Sequence, residues 1–131
     1  MKITIIGGTG LIGKQVIKLA CQDDFFTQIN AIVRSPLPYK DPKIENVQLN
    51  RMDVFQFLTS CKQTYDIIFA GPPYALNTID ELPKMIVEQK LIAPDGYFIL
   101  EHTPRNDYTQ FAGYSFQRNY GTTIFSFFAC V

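Results

Sequence analysis

The sequence is short of the residues that would staple or anchor it. Three cysteines, Cys21, Cys61 and Cys130, are scattered through 131 residues with no close pair. An odd, dispersed set excludes a disulfide framework and a zinc site, and it suits a reducing compartment. His102 is the only histidine, and no metal is expected. No apolar run approaches the ~18 residues at which a membrane-spanning helix becomes a candidate. Met1-Lys2 leads straight into an apolar strand and leaves no room for a signal peptide, so a soluble, cytoplasmic protein without membrane contact is expected. Net charge is also missing, since 12 basic and 12 acidic residues cancel. No global field then draws the chain to nucleic acid or to an anionic surface, although Lys84, Lys90, Arg105 and Arg118 could form a local basic patch. There are no repeats, linkers or low-complexity tracts.

What is present is a globular composition, 47% hydrophobic and 14% aromatic. The length suits one domain, residues 1–131. Lys2 to Ile6 is β-rich and breaks into Gly7-Gly8-Thr9-Gly10-Leu11-Ile12-Gly13. A helix follows to about Gln22-Asp23-Asp24, with Ile12, Val16, Leu19 and Ala20 as its apolar stripe and Lys14 and Lys18 on its solvated face. Ile29 to Val33 is a second strand, which completes a βαβ unit. Glycines in such a loop allow a tight turn and a close approach to phosphate or ribose, and the helix N-terminus offers free N–H groups to an anion. The spacing here is G-x-x-G-x-x-G rather than the plain dinucleotide G-x-G-x-x-G. The position after the first strand nonetheless points to a nucleotide-type cofactor; a glycine turn kept for packing alone is the plainer alternative.

Arg34 to Pro42 carries three prolines and reads as a loop, so the crossover between strands two and three lacks a helix. Val47 to Asn50 is a short third strand, ended by Arg51-Met52-Asp53. Val54 to Lys62 is a short helix with Phe57, Leu58 and Cys61 buried. Tyr65 to Ala70 then forms a central strand that stops at Gly71-Pro72-Pro73-Tyr74. An apolar run this short, closed by prolines, delivers a rigid loop to the carboxyl end of a parallel sheet, where ligands bind. Ile79 to Lys90 is an amphipathic helix with Leu82, Met85, Ile86 and Gln89 near one face and Pro83 in its first turn. Ala93-Pro94-Asp95-Gly96 reads as a turn, followed by a fifth strand from Tyr97 to Leu100 that ends in Glu101-His102. Tyr114 to Arg118 and Thr122 to Phe128 form a hairpin bracketed by Gly113 and Gly121. The expected fold is a three-layer α/β Rossmann-like, doubly wound sheet, mostly parallel with an antiparallel C-terminal hairpin strand.

From about Val47 onward the chain resembles bacterial small-subunit (16S) ribosomal RNA guanine-N2 methyltransferases. The shared residues are Asp53-Val54-Phe55, Tyr65 to Ala70, Pro72-Pro73-Tyr74, Leu100-Glu101-His102, and Arg118-Asn119-Tyr120-Gly121 through Ser126-Phe127-Phe128. They occur in order over about two thirds of the chain. The resemblance implies a methyltransferase-like sheet, S-adenosylmethionine as cofactor, and ribosomal RNA or the small ribosomal subunit as partner. In that family the motif after strand four is Asp-Pro-Pro-Tyr. Its acid and a backbone carbonyl hold the exocyclic amine, and its aromatic stacks on the extruded base. The residues assigned to catalysis are therefore Gly71, Pro72, Pro73 and Tyr74, with Gly71 standing where the acid belongs. Impaired catalysis is the expected result, with a loss on the order of 10²–10⁴ in rate if the acid aids proton removal. The family also has a segment ahead of strand one that engages RNA. This chain opens at the strand, so weak RNA binding is expected.

Residues 1–45 look instead like an atypical short-chain dehydrogenase/reductase or other NAD(P)-binding protein, through Lys2 to Gly13 and Ala31 to Pro38. The methyltransferase family also carries Gly-Thr-Gly, matching Gly8-Thr9-Gly10. It has an acid near the end of strand one, where this chain has Thr4, and another after strand two, where this chain has Arg34. A guanidinium there suits the 2′-phosphate of NADP. The reductase resemblance lacks its Tyr-x-x-x-Lys pair, since Tyr39 and Lys43 have the spacing but fall in the proline loop. Asp53 fits both families as an acceptor from the adenine amine, or it caps the following helix. The cofactor-binding set is thus Gly7, Gly8, Thr9, Gly10, Leu11, Ile12, Gly13, Arg34 and Asp53. Three functions remain open: an S-adenosylmethionine-dependent methyltransferase, an NADP-binding reductase-like domain, and a non-enzymatic composite, natural or designed, of the halves 1–45 and 46–131. His102 is read as structural or as part of a substrate loop. Phe125, Phe127 and Phe128 are read as sheet core and edge.

Overall fold

A computed structural model describes residues 1–6, 11–33, 44–48, 58–71 and 79–131. Among these residues seven strands form one sheet: β1 (Lys2–Ile6), β2 (Gln28–Val33), β3 (Ile44–Gln48), β4 (Tyr65–Ala70), β5 (Ile92–His102), β6 (Tyr114–Tyr120) and β7 (Thr123–Ala129). Their order is β3-β2-β1-β4-β5-β7-β6. The first five are parallel; β7 runs antiparallel between β5 and β6. The common doubly wound order 3-2-1-4-5-6 is thereby altered by one inserted strand. β3 begins at Ile44, three residues ahead of the expected Val47.

The alternation of β4 shows how the core divides. Ile67 and Phe69 face α1 (Leu11–Gln22) together with Ile3, Ile5, Ile17, Ala20 and Ile29. Tyr65, Ile68 and Ala70 face the other side, with Leu58, Phe98, Leu100, Phe128 and the buried face of α2 (Glu81–Glu88). From Ile67 onward the two faces alternate with period two, and Tyr65 lies beyond the irregularity at Asp66. Apolar contacts on both faces make β4 central, as its nearly continuous apolar sequence requires. In α1 the stripe differs from expectation. Ile17 and Ala20 are buried, whereas Leu19 is 64% exposed and borders an apolar groove of about 410 Å³ between α1 and the hairpin. Lys14 and Lys18 are exposed as expected.

α2 starts two residues later than expected and keeps Pro83 in its first turn, where the missing N–H costs nothing. Leu82, Pro83 and Ile86 are buried, but Gln89 is exposed. The helix ends in a Schellman motif: Lys90 takes φ 55°, its N–H donates to Val87 O, and Leu91 N–H donates to Ile86 O. Of the short helix expected over Val54–Lys62, residues 58–60 are described and helical, and Leu58 is buried; Val54, Phe55 and Phe57 lie outside the described residues.

Ala93-Pro94-Asp95-Gly96 is not a turn between elements. It is a wide irregularity inside β5: Tyr65 pairs with Ile92 and Ile67 with Tyr97, so four residues stand opposite Asp66. Asp95 sits at φ 60°, a region aspartate tolerates. A Cβ on Gly96 would lie 2.5 Å from the backbone oxygen of Asp66, so only glycine fits. The hairpin forms as the sequence suggests. Tyr120 pairs with Thr123, leaving the two-residue loop Gly121-Thr122, with φ +65° at Gly121. Positive φ at the first loop position is the type II′ pattern, whose twist matches the strands.

Candidate active site

The strand order fixes the place. From β1 the chain crosses to β2 on one side, and from β4 to β5 on the other, so the crevice of the sheet opens at the carboxyl ends of β1 and β4. Ile6 pairs with Ala70 and Ala70 with Leu100, which brings the ends of β1, β4 and β5 to one level. Gly71 follows β4, and its N–H donates to Ile6 O at 3.2 Å. The residue bearing the motif's altered position is thus tied to the strand that leads into the glycine loop.

A Cβ at Gly71 would meet Glu101 Oε1 at 2.8 Å and the Phe69 ring at 3.4 Å. The space a side chain would enter is therefore filled by the Glu101 carboxylate, which arrives from the end of β5. Glu101 is half-buried.

On the opposite face, His102 is 1% exposed. One ring nitrogen, Nδ1, lies 2.9 Å from Thr103 O, which can only accept, so Nδ1 carries the proton. Nε2 then accepts from the Ser126 hydroxyl at 2.7 Å. Burial pushes the His102 pKa below its ordinary value, against weaker opposing effects of the Thr103 carbonyl, Asp107 and Asp80. A neutral, doubly bonded imidazole in the core is structural, in keeping with the first of the roles read for it.

Tyr108 holds the β5–β6 connection. It is fully buried, packs edge-on against His102 and Phe111, and donates its hydroxyl to Asp80 Oδ1 at 2.8 Å. Burial, then the Asp80 carboxylate, pushes the phenol far above its usual range. Asn106 Nδ2 donates to the same oxygen at 3.2 Å. Asp80 occupies the N-cap position of α2 but makes no side-chain cap bond; its carboxylate ties the connection to the helix instead. Asp80 and Tyr108 were missed by sequence reasoning. Only the acid just ahead of a helical pattern could have drawn notice, and its partner is far away in sequence.

Of the residues assigned from sequence, Gly71 stands at the crevice. Leu11, Ile12 and Gly13 form the first turn of α1, which carries no acidic residue, so the positive end of the helix dipole is not neutralised there. Gly7, Gly8, Thr9, Gly10, Arg34, Asp53, Pro72, Pro73 and Tyr74 lie outside the described residues, as do Tyr39 and Lys43. Thr4 is interior: it pairs with Asn30 and Ile68, is 1% exposed, and its hydroxyl has no partner among the described residues. The four basic residues do not form one patch. Lys84 lies over Phe111 on the α2 face, while Arg118 lies over Phe116 and borders the groove beside α1. Phe128 is core, and Phe125 and Phe127 are half-buried in the sheet. Among the described residues no helix is long and apolar enough to cross a membrane, and no group of three or more metal-ligating side chains converges.

No curated protein sequence matches the chain. Solved structures do. The yhhF protein of Escherichia coli, described as a candidate methyltransferase, matches with a TM-score of 0.71 at 11% identity, over 98% of this chain and 76% of its own. The hypothetical protein TTHA0928 of Thermus thermophilus gives 0.67 at 18% identity, over 98% and 74%. The Podospora anserina methyltransferase PaMTH1, solved with S-adenosylhomocysteine, gives 0.66 at 11%, over 99% and 72%. At these identities the likeness is one of fold, and that fold is methyltransferase-like. A family model described as Conserved hypothetical protein 95 matches residues 15–129. It runs without a break across residues 45–50, where the two resemblances in the sequence meet, and on that match the chain belongs to the Conserved hypothetical protein 95 family.

Proposed function

We propose that the chain is an S-adenosylmethionine-dependent methyltransferase domain acting on the exocyclic amine of a guanine in small-subunit ribosomal RNA. The observation that carries the reading is the sheet itself. An antiparallel β7 is inserted beside β5, and Gly71, the first residue of Gly-Pro-Pro-Tyr, sits at the carboxyl-end crevice against Ile6. A reductase-like sheet explains the crevice but gives no reason for the sequence Gly-Pro-Pro-Tyr directly after β4. The candidate methyltransferase and the S-adenosylhomocysteine-bound methyltransferase among the fold's neighbours support the choice. The unbroken family match supports one domain over a composite.

The residues present fit the cofactor. The acid-free first turn of α1 offers N–H groups to a carboxylate. Gly7 to Gly10 would let the backbone approach the ligand, and Asp53 would accept from an adenine amine. Bound there, S-adenosylmethionine supplies an electrophilic methyl group. Tyr74 would stack on the target base, and the backbone carbonyl of Gly71 would accept from its amine, as the resemblance implies. The Tyr108–Asp80 tie holds the β5–β6 connection against the helix that follows this loop.

The test is calorimetric and thermal-shift titration with S-adenosylhomocysteine and NADP⁺ in parallel. A ligand at 100 times its dissociation constant adds about 2.7 kcal/mol of stability. Stabilisation by S-adenosylhomocysteine alone is the expected outcome. Stabilisation by NADP⁺ alone would transfer the assignment to the reductase reading and to Arg34, and silence from both would leave a folded scaffold.

A further inference from the structure

We propose that Glu101 supplies the amine-binding carboxylate that the Gly-Pro-Pro-Tyr loop lacks. The inference rests on the methyltransferase reading and deepens it. In the family the chain resembles, the acid of Asp-Pro-Pro-Tyr belongs at position 71. Here that position has no side chain, yet a carboxylate is still there: Glu101 Oε1 lies 2.8 Å from where the Cβ of residue 71 would be. Bond lengths of the Cα–C=O kind place an aspartate's own oxygens about 2.4 Å from its Cβ. An oxygen from β5 thus stands at nearly the same remove as the oxygen that a motif aspartate would carry.

Leu100-Glu101-His102 is among the runs shared with the methyltransferases, so this glutamate accompanies the motif acid there, and what differs here is position 71. Glycine leaves room that the Glu101 carboxylate fills, and an aspartate at 71 would move the flexible end of Glu101 aside. Both groups are held by the sheet rather than by loops alone. Ala70 and Leu100 are paired across β4 and β5, Glu101 is paired with Phe125 on β7, and Gly71 is bonded to Ile6. Glu101 and Gly71 also share the sheet face of Phe69 and Ile99, so the carboxylate points along the face that carries the crevice.

The chemistry requires an acceptor at this place. A carboxylate takes one N–H of the guanine amine and turns the nitrogen lone pair towards the methyl carbon. As the C–N bond forms and the C–S bond breaks, sulfur becomes neutral and the nitrogen gains positive charge. The Glu101 carboxylate stabilises that charge, then takes the surplus proton and passes it to solvent.

The experiment compares wild type, Glu101→Gln, Glu101→Ala and the double variant Gly71→Asp/Glu101→Ala. It measures S-adenosylhomocysteine affinity by calorimetry, and methyl transfer from S-adenosylmethionine to undermethylated small ribosomal subunits across pH. Wild type is expected to transfer methyl groups. Glu101→Gln and Glu101→Ala should each lower kcat by about 10²–10⁴-fold, with S-adenosylhomocysteine affinity held within about twofold. Gly71→Asp/Glu101→Ala, in which the aspartate has room, should recover much of the loss seen in Glu101→Ala, which a structural role for Glu101 would not allow. Wild-type rates in Glu101→Gln would overturn the proposal. So would a wild-type chain that binds S-adenosylhomocysteine but methylates nothing, because Glu101 would then replace no lost function. Absence of S-adenosylhomocysteine binding would remove the methyltransferase reading itself, and the proposal with it, and calorimetry separates the two failures.

Discussion

His102 shows what one side chain contributes when its environment fixes its charge. The ring is buried, its Nδ1 proton goes to Thr103 O, and its other nitrogen receives the Ser126 hydroxyl. Burial lowers its pKa below the ordinary 6.5. The unfolded chain therefore takes up a proton as pH falls through about 6.5 while the folded chain does not, and stability drops with acidification at up to about 1.4 kcal/mol per pH unit. The contribution is complete above that pH and is lost below it. Asp107, whose pKa is lowered by its bonds to Thr109, acts lower in the range: a depressed carboxyl contributes stability that is present above its ordinary value near 3.8 and is lost as pH falls through the folded value. Urea titrations at pH 7.5 and 5.0 should show wild type losing stability at the lower pH, and His102→Gln losing distinctly less. Equal losses in both proteins would remove His102 as the cause. The histidine drew attention in the sequence because it was alone, but a single ring gives no sign of which partners await it. Ser126 reaches it only through the β5–β7 pairing.

At the scale of elements, local signals were read well and paired positions were not. The end of β1 at Ile6, the start of α1 at Leu11, the end of β4 at Ala70 and the Gly121 hairpin turn all depend on neighbours in sequence, and they stand close to where the residues suggest, while Gly7 to Gly10, Pro72 and Pro73 lie outside the described residues. Ala93-Pro94-Asp95-Gly96 has genuine turn chemistry, yet it lies within β5. Pairing of Ile92 with Tyr65 resumes the strand on its far side and turns a loop into a bulge. The exposure of Leu19 and the burial of Ile17 likewise follow from where α1 sits on β1 and β2, which periodicity alone leaves open. Gly96 is where this argument can be tested. A methyl group there would strike backbone atoms of Asp66 at 2.5 Å and 3.1 Å and Ala93 O at 3.1 Å, and backbone cannot swing aside as a side chain tip can. Gly96→Ala should therefore cost about 1–3 kcal/mol, read as a lower urea midpoint with unchanged slope. An unchanged midpoint would mean that the bulge relaxes freely.

For the whole molecule, the telling strand is β1. It lies in residues 1–45, but it pairs with β2 on one side and with β4, from residues 46–131, on the other. Ile3 and Ile5 on β1 share a core with Ile17 and Ala20 on α1 and with Phe69 on β4, while Ile6 joins the core on the opposite face. Each core is thus completed by the other half of the sequence: Phe69 closes the one built on β1, β2 and α1, and Ile6 enters the one built from residues of the back half. If residues 1–45 and 46–131 were self-sufficient pieces, they would melt separately. The shared sheet instead predicts one transition. Seven tyrosines and no tryptophan make tyrosine fluorescence a probe weighted to the back half, which holds Tyr65, Tyr97, Tyr108, Tyr114 and Tyr120 in described positions. Far-UV circular dichroism samples α1 and the sheet together. Urea curves from the two probes should superimpose, with a single slope of about 1–3 kcal/mol/M, and residues 46–131 expressed alone should show no cooperative unfolding. Separated curves, or a cooperative fragment, would show two units that happen to adjoin, and the crevice between β1 and β4 would then be a boundary rather than a site.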